Sequence, residues 1–61
     1  MKILTIKAIQ LRPGMRLVWG GYIGTIEFDC GEVFACVLGS HGHIGMRCWR
    51  QDDPIDIWEL N

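Results

Sequence analysis

Apolar residues fall in short runs along this chain, none with the three-to-four-residue spacing of a long helix, and each run stops at turn-forming residues. Pro13-Gly14, Gly20-Gly21, Cys30-Gly31, His41-Gly42 and Asp52-Asp53-Pro54 divide the sequence into segments rich in β-branched and aromatic side chains. Segments of that length between such breaks predict strands joined by tight turns. Arg12-Pro13-Gly14-Met15 suits a type II turn, because proline presets φ at the second position and glycine accepts positive φ at the third. Trp19-Gly20-Gly21-Tyr22 and Asp29-Cys30-Gly31-Glu32 each suit a hairpin with a two-residue loop. A third loop of that kind is expected at Ser40-His41 or at His41-Gly42.

Turns set register, and register assigns faces, since directly opposed residues on antiparallel strands point the same way. Opposing Trp19 with Tyr22 and Asp29 with Glu32 collects Met15, Leu17, Gly24, Ile26, Phe28, Val33, Ala35 and Val37 on one side. Either form of the third loop adds Ile44, Met46 and Cys48. That set is the expected core. Arg16, Val18, Ile23, Thr25, Glu27, Phe34, Cys36, Leu38, His43, Gly45, Arg47 and Trp49 make the other side, which is mixed rather than polar. The N-terminal strand, Ile3 to Leu11, is expected to lie across part of it. The predicted fold is all-β, a single domain over residues 1–61 built as a small barrel of five to six antiparallel strands.

Size and composition sharpen this expectation. A 61-residue chain buries only about 60% of its unfolded surface, so a single core leaves it marginally stable. Apolar side chains make up 49% of the residues before the eight glycines are counted, against about 45–50% with glycine included in ordinary soluble domains. No run is long enough for a membrane-spanning helix, so the surplus is expected to cover a partner, most simply another copy of the chain. Three cysteines is an odd number for a disulfide framework, and Met1-Lys2-Ile3-Leu4-Thr5-Ile6-Lys7 carries charges where a signal peptide is apolar. A cytoplasmic protein with reduced thiols is the expectation. A net charge of −1 gives no general attraction to nucleic acid or acidic membranes.

The run from Cys36 to Cys48 places two cysteines around His41 and His43, which raises the question of a metal site. In the register above Cys36 and Cys48 point to opposite sides and Cys30 lies at a distant hairpin tip, so the three cannot converge on one ion. The histidine spacing matches no zinc pattern, and no metal or cofactor is expected. Gly20-Gly21-Tyr22-Ile23-Gly24 lies between two strands, so no helix N-terminus is available there to hold a phosphate. No nucleophile and base, and no pair of carboxylates in a pocket, is visible, so no catalytic residue is assigned.

The order Leu11-Arg12-Pro13-Gly14-Met15-Arg16-Leu17-Val18-Trp19, then Gly24-Thr25-Ile26, Val33-Phe34-Ala35-Cys36-Val37 and Ile55-Asp56-Ile57-Trp58 resembles SH3-like barrels of the tudor and KOW kind. The resemblance implies a binder of proteins or nucleic acids, without placing an aromatic cage. In outline the chain is also similar to type II dihydrofolate reductase, whose short SH3-like chains surround a shared pore. The stretch nearest to that family's Val-Gln-Ile-Tyr motif, Pro54-Ile55-Asp56-Ile57-Trp58, changes its polar and aromatic positions.

The expected function is a non-enzymatic protein-binding module, homo-oligomeric, of the size of phage or plasmid proteins that block host machinery. Its expected contact residues are Val18, Ile23, Phe34, Leu38, His43, Arg47 and Trp49, with Arg47 and Trp49 foremost because Arg and Trp dominate binding hot spots. The competing expectation for Trp49 is that it packs beneath the N-terminal strand. One alternative is a nucleic-acid binder that gathers Lys2, Lys7, Arg12, Arg16, Arg47 and Arg50 beside Trp49 or Trp58. A second is an oligomeric pore enzyme like the reductase.

Overall fold

The computed structural model describes residues 2–39 and 42–59. They form one antiparallel sheet of six strands: β1 (Ile3–Lys7), β2 (Arg16–Leu17), β3 (Tyr22–Asp29), β4 (Glu32–Leu38), β5 (Ile44–Arg50) and β6 (Pro54–Trp58). A 3₁₀ turn, Ala8–Gln10, follows β1. The spatial order is β1-β6-β2-β3-β4-β5. The all-β class and the strand number match the sequence expectation. The sheet is not closed into a barrel, because β1 and β5 end it without pairing to each other. It does curl, since the residues just after β1 reach those just after β5: Ala8 N–H donates to Asp53 O at 2.9 Å and Ile9 N–H to Gln51 O at 3.0 Å.

Loop length decides which residues turn inward. At Asp29-Cys30-Gly31-Glu32 the loop has two residues, as expected, and Cys30 (φ 49°) and Gly31 (φ 77°) both take the positive φ of a type I′ turn. β3 and β4 therefore pair as read from the sequence, with Phe28 opposite Val33 and Ile26 opposite Ala35. The Pro13-Gly14 turn is also as expected: Gly14 has φ 92° and Met15 N–H donates to Arg12 O at 3.2 Å.

The other two hairpins differ. Leu17 N–H donates to Gly21 O, Arg16 lies opposite Tyr22, and the loop is Val18, Trp19 and Gly20 rather than Gly20-Gly21 alone. Gly39 N–H donates to His43 O at 2.7 Å, so the connection between β4 and β5 spans residues 40–42. The Ser40-His41 segment on which that expectation turned lies outside the described residues. A three-residue loop in place of a two-residue one reverses the parity of the next strand. Hence Val33, Ala35 and Val37 share a face with Trp49, Arg47 and Gly45, while Phe34, Cys36 and Leu38 share the opposite face with Cys48, Met46 and Ile44.

A bulge makes the remaining correction. The β3–β4 register shifts between Ile23 and Ile26, so that Ile23 lies opposite Val37 and Tyr22 opposite Leu38. One strand thus sends Ile23 inward before the bulge and Ile26 inward after it. The core consists of Ala8, Leu11, Leu17, Ile23, Val33, Ala35, Ile55 and Ile57, with Ile6, Met15, Ile26, Val37 and Trp49 packed against it. Ala8 and Leu11 come from the N-terminal segment. That segment does not cross the outer face: β1 pairs with β6 from Ile3–Trp58 to Lys7–Pro54.

Candidate interaction surface

Strand pairing places the side chains on the outer face, the one turned away from the core. Each cross-strand pair lies on one side of the sheet, so successive pairs can be joined into rows. One row crosses all six strands: Ile3 opposite Trp58, Trp58 opposite Arg16, Arg16 opposite Tyr22, Tyr22 opposite Leu38, Leu38 opposite Ile44. At about 4.8 Å per strand this row is roughly 24 Å long. Ile3, Tyr22, Leu38 and Ile44 expose 55%, 49%, 41% and 71% of their surface, and Trp58 is half-buried. The single charge in the row, Arg16, places its guanidinium 5.6 Å from the centre of the Tyr22 ring.

Apolar character continues toward the middle of β4 and β5. Cys36 lies opposite Met46, which is 70% exposed, and Phe34 opposite Cys48. The face then becomes polar: Asp29, Glu32 and Arg50 form the last row. Cys48 marks the boundary. Its thiol donates to Glu32 Oε2 at 3.4 Å, and its pKa is raised, by desolvation first, then by the Glu32 hydrogen bond and charge and by the charge of Asp53. The thiol is thereby held in its weakly nucleophilic form.

The sequence-predicted contact residues divide between these environments. Phe34 and Leu38 are on the outer face, Phe34 half-buried and Leu38 exposed. His43 is exposed just before β5, and Val18 is half-buried in the β2–β3 loop. Ile23 is 2% exposed and belongs to the core. Trp49 is half-buried against that core, on the core side of β5 opposite Val33 and not beneath a strand laid over the outer face. Arg47 is exposed on the core side of β5, with its guanidinium 4.9 Å from the centre of the Trp19 ring. Phe34 and Leu38 are therefore not brought together with Arg47 and Trp49. The surface instead contains Tyr22, Ile44 and Met46, which sequence reasoning assigned inward because it used two-residue loops. A counting signal was present: moving one loop boundary by a residue turns Ile44 and Met46 outward while leaving Val33, Ala35 and Val37 inside.

The parity correction also places Cys36 and Cys48 on the same side, so the argument that they point apart does not hold. Among the described residues no group of three or more His, Cys, Asp or Glu side chains is arranged to hold a metal ion. All three cysteines are free thiols. An open notch of about 380 Å³ lies where Ile9, Leu11, Arg12 and Pro13 face Ile26 and Phe28. Its lining is apolar apart from Arg12, whose guanidinium is turned to the Ile9 and Leu11 carbonyls, so the notch offers no acid-base pair. No helix among the described residues is long and apolar enough to cross a membrane. Compared with protein-family models, with curated protein sequences and with solved structures, the chain matches none.

Proposed function

We propose that this chain is a non-enzymatic protein-binding module whose contact surface is the outer face of its sheet, used in association with itself or with another protein. The observation that carries this is the row of Ile3, Trp58, Arg16, Tyr22, Leu38 and Ile44, apolar but for one arginine stacked on tyrosine and largely open to solvent. Aromatic residues and arginine at the centre of an apolar patch are the composition of an interface core. Such patches on soluble proteins mark sites of association. A small sheet curled toward a barrel suits the role, as do the SH3-like folds that its hairpin order resembles.

Nucleic-acid binding is the weaker reading. Only Arg16 among the basic residues lies within the apolar row, and the chain carries a net charge of −1. The test is substitution on the face: Tyr22→Ser with Leu38→Glu, assayed for oligomeric mass by light scattering and for capture of protein from lysate. Loss of association with an unchanged circular dichroism spectrum is the expected result. Association unaltered by both substitutions would defeat the proposal.

A further inference from the structure

The outer face ends on β5, a strand of seven residues that has β4 on one side and, among the described residues, no strand on the other. In an antiparallel pair the residues alternate between bonding their neighbour and turning their backbone groups away. Two hydrogen bonds fix the phase here, Gly39 N–H to His43 O and Gln51 N–H to Gly31 O. Odd-numbered residues of β5 therefore bond β4. Ile44, Met46, Cys48 and Arg50 direct their N–H and C=O groups outward.

Arg50 is already satisfied. Its N–H donates to Asp53 Oδ2 at 2.9 Å and its carbonyl accepts from Asp53 N–H at 3.0 Å. The open part of the edge is thus Ile44, Met46 and Cys48, three residues symmetric about Met46. The other edge of the sheet differs. β1 ends at Lys7 and follows Lys2, and the Lys7 N–H is taken by Gln10 Oε1 at 2.8 Å, features that blunt an edge against pairing.

The geometry points to a second copy of this chain as the partner, docked by antiparallel pairing of β5 with β5 about a two-fold axis at Met46. In that register Ile44 meets Cys48 of the other copy, Met46 meets Met46, and each of these pairs exchanges two backbone hydrogen bonds. Shifting the axis to Arg47 would set Arg47 against Arg47, a like-charge pair, and would require the backbone groups of Arg50. Shifting it to Cys48 would again require Arg50, across from Met46. The Met46 axis alone pairs all three open residues with one another and leaves the capped ones alone. Side chains agree with it. Ile44, Met46 and Cys48 all lie on the outer face, so pairing joins the two apolar patches across the axis. On the opposite face Arg47 lies across from Gly45, which has no side chain to obstruct it and nothing within 4 Å of the place a Cβ would take. The isologous contact closes on itself, as a two-fold dimer should.

This inference rests on the outer face being a contact surface and adds the partner and the register. Its test separates the two. Light scattering at about 0.1 mM protein, well above a micromolar dissociation constant, is expected to give a dimer, and Met46→Pro a monomer. Proline is tolerated at Met46 because that N–H faces away from β4; a native-like circular dichroism spectrum checks that the fold persists. Register is read by cross-linking in a Cys30→Asn, Cys36→Ala background, using copper phenanthroline as oxidant of the two thiols. Ile44→Cys then joins to native Cys48 of the other copy, since hydrogen-bonded partners stand about 5.5 Å apart at Cα, within disulfide reach. The background with Cys48 alone gives no dimer band, and neither does Ile44→Cys with Cys48→Ser. A monomeric wild type, or a covalent dimer through Cys48 alone, would overturn the proposal. A dimer that survives Met46→Pro but is lost in Tyr22→Ser/Leu38→Glu would overturn the edge pairing while leaving the outer-face reading in place.

Discussion

Gly21 is the position where a single methyl group should do most harm. It sits where the β2–β3 hairpin passes β4, with φ of 95°, and a Cβ there would lie 2.8 Å from Val37 Cγ1 and 3.2 Å from the Leu38 carbonyl oxygen. Two costs follow for Gly21→Ala. Holding a residue with a side chain at that φ costs about 1–3 kcal/mol. Forcing a methyl into an occupied site adds about 1–3 kcal/mol, because Val37 is itself packed against the core. Gly20 supplies the control: its φ is 113°, yet a Cβ there meets nothing within 4 Å. Gly20→Ala should therefore bear the backbone cost alone. A chain of 61 residues at 0.05–0.15 kcal/mol per residue has about 3–9 kcal/mol of stability, so the Gly21 variant approaches the unfolding threshold. Urea titrations followed by tryptophan fluorescence, with a slope of about 1 kcal/mol/M, should place its midpoint roughly 1–3 M below that of Gly20→Ala. Adding Val37→Ala to Gly21→Ala should return part of the loss, giving a coupling of at least about 1 kcal/mol. Equal midpoints for the two glycine variants, or no coupling to Val37, would refute the close passage of hairpin and strand.

Three further outcomes follow from named contacts. Ile23→Ala should cost about 2–5 kcal/mol, as for a buried aliphatic, whereas Leu38→Ala, at 41% exposure, should cost much less; equal costs would contradict the bulge that turns Ile23 inward. A double-mutant cycle of Trp19→Ala and Arg47→Ala should show a coupling of about 0.5–1 kcal/mol, as for a cation on an exposed ring, and additivity would mean the stacking contributes nothing. Alkylation of Cys48 by iodoacetamide, followed by mass spectrometry in dilute protein, should rise with pH at a midpoint above the ordinary thiol range. Because Glu32 raises that pKa by hydrogen bond and charge, Glu32→Gln should move the midpoint down, and an unmoved or rising midpoint would remove Glu32 as a cause.

Much of this architecture was legible in the residues. Turn chemistry located the breaks at Pro13-Gly14, Gly20-Gly21, Cys30-Gly31 and Asp52-Asp53-Pro54 but not the end of β1 at Lys7, which the expected strand Ile3 to Leu11 overran into a 3₁₀ turn. Where a loop admitted one solution, as at Asp29-Cys30-Gly31-Glu32, the pairing of Phe28 with Val33 and Ile26 with Ala35 was correct. The candidate surface was not legible, for a physical reason. Glycine pairs such as Gly20-Gly21 fit loops of two or three residues equally well in local terms, while the two choices send the next strand's side chains to opposite faces. β5 shows the ambiguity most clearly, since Ile44, Met46 and Cys48 on one side and Gly45, Arg47 and Trp49 on the other are both plausible inward sets. The half-buried position of Trp49 against the core settles it, and that is a tertiary contact with no local signature. The bulge in β3 is of the same kind: Gly24-Thr25 gives permission for it, and the packing of Ile23 requires it.

The strand order has a consequence for how the molecule comes into being. β6, the last strand in sequence, is inserted between β1 and β2 and joins Ile3 to Trp58 and Arg16 to Trp58. Among the described residues β1 has no other strand neighbour, so it lacks its pairing partner until residues 54–58 have been synthesised. Nascent chain can assemble the β3–β4–β5 meander early, through contacts near in sequence, but half of the sheet must wait for the slow closure of distant segments. During that wait the apolar N-terminal segment and the inner side of the meander are both uncovered, a window in which a chaperone or an aggregate competes with the native insertion.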